Sequence, residues 1–105
     1  MNIDTSGWIY IEDSGHAWLK VKEEYVRFSG YHPTEFSFRD GGYAYLEEDL
    51  DAPEFLTEIH NKLPDRPKGE TMVQWYRTLG VRTKYMDGMC FVRELPRYKP
   101  VKSNT

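Results

Sequence analysis

The chain has only one cysteine, Cys90, among its 105 residues. No internal disulfide is possible, so a reducing compartment is the simpler expectation. No apolar run approaches the roughly 20 residues that span a bilayer as a helix. The N-terminus MNIDTSGW also lacks the basic and apolar regions of a secretory signal. The sequence therefore predicts a cytoplasmic protein with no membrane association.

Motifs that carry common enzyme chemistry are missing as well. The chain contains neither GxxxxGKS/T nor GxGxxG, the glycine-rich loops that cradle phosphate, and no GxSxG elbow. Its histidines, His16, His32 and His60, lie far apart without the HxH or HExxH spacing of zinc ligands. A histidine in a turn, such as His16, more often bonds its own backbone than acts as an acid or base. We expect no enzymatic activity, no cofactor and no metal site.

Aromatic rings and unevenly placed charges dominate what is present. Three Trp, eight Tyr and five Phe stand beside a hydrophobic content of only 39%. Rings must therefore supply much of the core and of any binding surface. The net charge of −3 gives no general attraction to nucleic acid. Acidic residues crowd the middle of the chain, whereas lysine and arginine prevail after Gly80. These regions either attract each other within the fold or form two separate contact surfaces.

Side chains that alternate at every second residue predict three β-hairpins. The first joins residues 7–12 to residues 16–22, and the third joins residues 81–86 to residues 89–93 through an Asp-Gly turn. The second turns at Asp40-Gly41-Gly42. Its rings are expected to share one core face, and they are Phe36, Phe38, Tyr43 and Tyr45.

Helical spacing of apolar residues predicts up to three short helices. The first covers Glu23–Ser29 and ends at Gly30. The last covers residues 71–79 and ends at Gly80, and a strand over residues 72–76 is the alternative. The helix between them follows the acidic middle of the chain.

That middle forms an acidic corner, which is defined by Glu47, Glu48, Asp49, Asp51 and Glu54. Asp51 is predicted to cap the second helix, with Glu54 as its reciprocal carboxylate. Carboxylates can bind Mg²⁺, but no lysine or histidine stands beside these in the pattern of a nuclease. We predict that the acidic corner binds a partner, and a helix cap with a solvated surface is the alternative.

A second partner-binding surface, the aromatic/basic face, is predicted from the ring and arginine side chains that often dominate contact energies at interfaces. Its members are Trp75, Tyr76, Arg77, Tyr85, Arg93, Arg97 and Tyr98. The alternative is that most of these rings belong to the core.

Together the elements predict a single α+β domain over residues 1–98 and a frayed polar tail over residues 99–105. The predicted sheet is antiparallel, has about five to six strands in three hairpins, and carries two to three short helices on one side. Its other face must meet solvent, a partner or a second copy. We accordingly expect a monomer or a homodimer.

Three stretches form a recognisable set: GHAWLKV at residues 15–21, FSFRDGGYAYLEEDLDA at residues 36–52 and FVRELPRY at residues 91–98. Together they resemble a small uncharacterised domain of phage, plasmid and other mobile-element proteins, with the pattern GHxWLxV, YSYxxGxxAYLEEDCDA and IRxxxxY. The chain has Leu50 where that pattern has a cysteine, which argues against a thiol function there. Residues 64–80 also form a longer segment than the pattern contains.

The resemblance implies a context and no reaction. It implies a non-enzymatic phage or mobile-element accessory protein that binds and inhibits or redirects a host protein. The partner would be a bacterial host or defence protein in the cytoplasm of the host cell, and the role could be that of an anti-CRISPR or anti-restriction inhibitor. The alternative is a small nucleic-acid-binding accessory domain that uses Arg82, Lys84, Arg93 and Arg97 of the basic C-terminal hairpin.

Overall fold

A computed structural model describes residues 3–88 and 90–99. Within them lie five strands: β1 (Ile9–Glu12), β2 (Ala17–Lys22), β3 (Phe38–Asp40), β4 (Tyr43–Glu47) and β5 (Arg82–Tyr85). Three helices accompany them: α1 (Glu23–Ser29), α2 (Asp51–Asn61) and α3 (Met72–Thr78). A short 3₁₀ helix, Phe91–Glu94, follows β5. The predicted α+β class and the predicted number of helices are confirmed.

The strands form one mixed sheet in the order β3-β4-β2-β1-β5. The two hairpins β1–β2 and β3–β4 were predicted, and β2 also pairs antiparallel with β4. The predicted third hairpin is wrong, because β5 pairs in parallel with β1, from Ile9 opposite Arg82 to Glu12 opposite Tyr85. Of its expected second arm, Met89 lies outside the described residues, and residues 91–94 form the 3₁₀ helix. The described part of that arm, residues 90–93, packs on one face of the sheet instead.

The helix boundaries follow local signals at α1 and α3. Gly30 ends α1 in the left-handed conformation, with φ of 78°. Thr71 begins α3 with a capping box, since its hydroxyl accepts from the Gln74 N–H at 3.1 Å and the Gln74 amide oxygen accepts from the Thr71 N–H at 2.9 Å. The helical interpretation of this segment is confirmed over the strand alternative.

The predicted Asp51 cap of α2 is wrong. Leu50 is the N-cap, without a side-chain cap bond, and Asp51 is the first helical residue, with its side chain completely buried. Its carboxylate accepts hydrogen bonds from the Tyr31 hydroxyl at 2.6 Å, from the Thr34 N–H and hydroxyl, and from the Ser37 hydroxyl. A buried carboxylate must find donors, and the nearest ones belong to the connector between α1 and β3.

The sheet buries apolar side chains on both faces. On one face Leu19 and Leu46 pack against Phe55 and Ile59 of α2, in a cluster that all three helices join. This confirms that the helices pack on one side. On the opposite face Ile11, Trp18, Phe38 and Tyr45 are covered by Cys90 and Val92. The chain's own C-terminal segment, residues 90–99, and not solvent, therefore covers that part of the second face.

The second hairpin has a less regular ring face than predicted. Phe38 and Tyr45 are buried and lie opposite each other, but Phe36 is 58% exposed and Tyr43 is 37% exposed. Phe36 precedes β3 in a turn closed by the Ser37 N–H and the Thr34 carbonyl, at 3.1 Å. The alternation of a strand does not extend into such a turn, so Phe36 turns away from the core.

The C-terminal segment also borders the β3 edge of the sheet. The Arg39 N–H donates to the Pro96 carbonyl at 2.8 Å, and the Tyr98 N–H donates to the Ser37 carbonyl at 2.9 Å. The described chain ends at Lys99, so most of the predicted tail, residues 99–105, lies outside the described residues. The predicted domain limits stay a prediction.

Candidate binding groove

One groove lies on the sheet face that the C-terminal segment covers, where β4 ends and β2 begins. We call it the aromatic groove: it encloses about 540 Å³, and its lining residues are His16, Trp18, Phe36, Phe38, Glu47, Asp49, Leu50, Arg93 and Arg97. The strand register explains its position, because Trp18 of β2 lies directly opposite Glu47 of β4. Side chains opposite each other on neighbouring strands share a face of the sheet.

The floor of the aromatic groove is aromatic and its rim is apolar. Trp18 and Phe38 are each only 3% exposed and meet edge to face, with ring centroids 6.1 Å apart. Phe36 and Leu50 stand above them, at 58% and 44% exposure. Large apolar side chains this exposed, gathered around a buried ring floor, are typical of a contact surface.

Arg93 closes one wall of the aromatic groove and is held by a buried partner. Its Nε and Nη2 atoms donate to the Asp13 carboxylate at 2.8 and 3.0 Å, and its guanidinium carbon lies 5.5 Å from the Trp18 ring centroid. The Arg93 hydrogen bonds, together with those from the Gly15, His16 and Cys90 N–H groups, hold the pKa of Asp13 well below its usual range. The same pair raises the pKa of Arg93.

The Asp13–Arg93 pair joins distant parts of the chain. Asp13 shapes the β1–β2 turn, since its Oδ1 atom accepts from the Gly15 and His16 N–H groups at 2.9 Å each. The same carboxylate accepts from the Cys90 N–H at 3.3 Å. One side chain thus connects the first hairpin to the C-terminal segment.

Arg97 is positioned differently from Arg93. Its guanidinium carbon lies 4.7 Å from the Phe38 ring centroid, and its Nη1 atom donates to the Glu35 carbonyl at 3.0 Å. None of the ion pairs formed among residues 3–88 and 90–99 includes Arg97, Glu47 or Asp49. Within this part of the chain, the aromatic groove therefore presents charges of both signs.

The acidic corner divides between different surfaces. Glu47 and Asp49 line the aromatic groove, and the Glu47 carboxylate also accepts from the Asp49 and Leu50 N–H groups at 2.7 and 3.1 Å. Glu48 points to the opposite face, where the Tyr10 hydroxyl donates to it at 3.0 Å. Glu54 is exposed on α2. Asp51 is buried, so its prediction as a partner contact is wrong.

The aromatic/basic face is not one surface. Arg93 and Arg97 line the aromatic groove, whereas Arg77 is exposed on α3 and Tyr85 on β5. Tyr76 is half-buried between the sheet and the helices.

Trp75 and Tyr98 are buried, and their prediction as exposed contacts is wrong. Trp75 stacks on His60 at 5.4 Å between ring centroids and meets Trp8 edge-on at 6.3 Å. The ring of Tyr98 lies beneath the Arg39 guanidinium, at 5.6 Å, and beside His32. The alternative that such rings belong to the core is correct for these two residues.

Sequence reasoning missed four apolar residues of the aromatic groove. Trp18 was expected only as a strand residue, Phe36 and Phe38 were placed together on a core face, and Leu50 was noted only as a departure from a pattern. Leu50 could have been recognised from the sequence, because it is a large apolar side chain between Asp49 and Asp51. A corner that contacts only solvent does not require an apolar residue at that position. No local signal links Asp13 to Arg93, which lies 80 positions further along.

The arrangement is suited to binding an apolar group beside a charged one. Within residues 3–88 and 90–99, no three His, Cys, Asp or Glu side chains gather in the manner of a metal site. The helices in the same part of the chain are all too short or too polar to span a bilayer. Comparisons of the chain with protein-family models, with curated proteins and with solved structures find no match.

Proposed function

We propose that this protein acts by binding another protein through the aromatic groove, as a non-enzymatic accessory protein of a phage or mobile element. The observation that carries the proposal is the pair of exposed side chains, Phe36 and Leu50, above the buried rings of Trp18 and Phe38. Covering these side chains would remove apolar surface from water, which is the main favourable contribution to most protein associations.

The aromatic groove also has the anatomy of an interface centre. Anchor residues of interfaces are often aromatic or arginine side chains that insert into well-packed pockets, surrounded by polar residues that exclude water. Trp18 and Phe38 supply a fixed floor, and the Asp13–Arg93 pair fixes one wall. A preformed surface of this kind loses little conformational entropy on binding.

Charge favours a particular kind of partner surface. Glu47 and Asp49 form no ion pair within residues 3–88 and 90–99, so a partner lysine or arginine would gain by lying beside them. We infer that the partner presents an apolar anchor next to a basic residue. The two carboxylates outnumber Arg97, and Arg93 is already paired with Asp13, so the aromatic groove is poorly suited to a nucleic-acid backbone.

The resemblance of residues 15–21, 36–52 and 91–98 to a mobile-element domain supports a bacterial host protein as the partner. Small proteins in that setting inhibit or redirect host proteins by occupying their working surfaces. A defence protein of the restriction or CRISPR type, which must carry a basic surface to hold nucleic acid, would offer the basic residues that Glu47 and Asp49 favour. On this proposal the protein works in the host cytoplasm as a counter-defence inhibitor.

Binding of nucleic acid is the second candidate, and one observation favours it. Arg82 and Lys84 are exposed on β5 and alternate along it, so they share one side of the strand. Arg93, the third residue of the expected basic hairpin, is already paired with Asp13. Two cations on an edge strand would give weak, salt-sensitive binding.

Affinity capture with matched variants tests the proposal. The tagged protein is mixed with bacterial lysate, with and without nuclease, and compared with Phe36→Ala/Leu50→Ala. We expect a stoichiometric protein that survives nuclease and high salt, and that the double variant fails to retain. Removing two interface anchors should weaken binding by roughly a hundredfold or more. The purified partner is then titrated by calorimetry against each variant.

The control is Val73→Ala/Tyr85→Ala, which removes side chains of similar exposure, 49% and 56%, from other surfaces. It should bind like the unmodified protein. The aromatic groove would be ruled out as the contact if both double variants lost the same affinity for the partner. It would also be ruled out if Phe36→Ala/Leu50→Ala bound the partner as tightly as the unmodified protein. Recovery of nucleic acid alone, lost in Arg82→Ala/Lys84→Ala, would establish the second candidate.

A further inference from the structure

A second groove lies on the helix-covered face, between β1, α2 and α3. We call it the helix-side groove: it encloses about 350 Å³, and its apolar walls include Leu19, Leu56, Met72 and Val73. This volume lies within the roughly 300–1,000 Å³ of small-molecule sites, which are mainly apolar with a few convergent polar groups. The helix-side groove thus has the size and the walls of such a site.

Glu48 is the charged group of the helix-side groove. It is half-buried, and its Oε2 atom accepts a hydrogen bond from the Tyr10 hydroxyl at 3.0 Å. No ion pair formed within residues 3–88 and 90–99 includes Glu48. A carboxylate beside apolar walls is less well hydrated than one in open water, so a cation placed against it gains more there than on the surface.

The tyrosines of the helix-side groove add to this polarity. Burial raises the pKa of Tyr10, and the hydrogen bond to Glu48 raises it further. Burial also raises the pKa of Tyr76. Both hydroxyls therefore stay neutral, so they add dipoles and no competing charge. The charge of Glu12 also raises the pKa of Tyr10, so Glu12 adds negative potential near the Tyr10 hydroxyl.

We propose that the helix-side groove binds a small organic cation: a primary amine carried on an aromatic or branched aliphatic body. The ammonium group lies against the Glu48 carboxylate, while the body packs between Leu56 of α2 and Val73 of α3. The site is separate from the aromatic groove, because Glu48 and Glu47 point to opposite faces of the sheet. The inference therefore does not depend on the proposed function.

Titration with simple amines tests this site. Phenethylamine, tryptamine and isopentylamine are added at millimolar concentration to isotope-labelled protein, and amide chemical shifts are followed. We expect shifts that centre on Leu19, Leu56 and Val73. Glu48→Gln keeps an acceptor for the Tyr10 hydroxyl but removes the charge, so it should fold and bind the amines about tenfold more weakly, as expected for a charge-assisted hydrogen bond.

Two controls make the outcome decisive. Phenethyl alcohol, which has the same body without the charge, should bind the unmodified protein and Glu48→Gln equally. Glu54→Gln removes an exposed acid of α2 outside the lining and should leave amine binding unchanged. The proposal is overturned if none of the three amines produces shifts at the helix-side groove, if Glu48→Gln binds them as well as the unmodified protein, or if Glu54→Gln weakens binding equally.

Discussion

The two faces of the sheet are covered in different ways. Among residues 3–88 and 90–99, the cluster that joins the sheet to the three helices contains thirteen buried residues, whereas the cluster that includes Cys90 and Val92 of the C-terminal segment contains six. That segment has little regular structure and is held by the Asp13–Arg93 pair and by arginines stacked on Trp18 and Phe38. The comparison separates a face covered by packed helices from one covered by a segment that combines a smaller apolar cluster with a buried ion pair.

The difference in how the two faces are covered explains where the aromatic groove lies. Where packed helices cover the sheet, a ring such as that of Trp8 is enclosed at 3% exposure, with Trp75 of α3 lying edge-on to it. A face covered by a narrow segment leaves rings near the surface at its margin, where Phe36 and Leu50 stand exposed. The aromatic groove lies at this margin because residues 90–99, the described part of the segment, leave this part of the sheet uncovered.

The largest effect should come from a matched pair of core substitutions. Ile59→Ala on the helix side should lower the free energy of unfolding by about 4 kcal/mol, and Ile11→Ala on the other side by about 2.5 kcal/mol. Both side chains are buried, at 0% and 3% exposure. The cost of a cavity depends on how well its surroundings collapse, and a segment with one short 3₁₀ helix adjusts more easily than packed α-helices.

Urea denaturation of the two isoleucine variants measures this difference. Equal losses of stability would mean that the C-terminal segment is as rigidly packed as the helices. The contrast between the faces would then lie in their polar contacts alone.

The second effect concerns the attachment of the C-terminal segment. Asp13→Asn should cost about 2 kcal/mol, because it replaces charge-assisted hydrogen bonds of a buried carboxylate by weaker ones. Hydrogen exchange should show protection lost at residues 90–98 and kept in α2. A uniform loss across both regions would show that the two faces unfold only together.

The dependence on pH has a definite sign. The pKa of Asp13 in the folded protein lies well below its usual range, and its pKa in the unfolded chain is about 3.9. The carboxylate therefore stabilises the fold above the unfolded pKa and loses this contribution as the pH falls toward the folded pKa. The stability gap between the unmodified protein and Asp13→Asn should shrink as the pH falls from about pH 5 to about pH 2. A constant gap would contradict the role given to the charge.

The smallest effect is expected at Arg97. Arg97→Ala removes a guanidinium from the Phe38 ring and should cost only about 0.5 kcal/mol, as an exposed cation–π contact does. Arg77→Ala, which removes an exposed arginine from α3, is the matched control and should change stability less. Differential calorimetry of both variants checks the ranking, and a larger cost at Arg77 would reverse it.

Much of the fold was predictable where the deciding forces are local. Glycine accepts the left-handed backbone that ends α1 at Gly30, and the Asp-Gly-Gly turn closes the second hairpin. The helix over residues 72–78 also follows from its apolar spacing. Such signals act over a few residues, so they can be read without knowing the rest of the chain.

The candidate sites were less predictable, because distant residues build them. Glu47 reaches Trp18 only through the β2–β4 register, and Arg93 reaches Asp13 only after the C-terminal segment has crossed the sheet. From local patterns alone, Phe36 was predicted to lie in the core and Asp51 was predicted to cap a helix. Both predictions failed because a turn and a set of hydrogen-bond donors from another segment decided these positions.

By itself, the sequence determined the α+β class, two hairpins, three helices and the presence of both an acidic and a basic region. These depend on backbone preferences and on side-chain periods, which are properties of neighbouring residues. Only the tertiary structure decided that β5 joins β1 in parallel, that the acidic corner divides between two faces, and that Glu47 and Arg97 share one groove. A strand or a buried charged group can pair with any of several groups that are distant in the sequence. Which of them becomes its partner is decided only when the whole chain has folded.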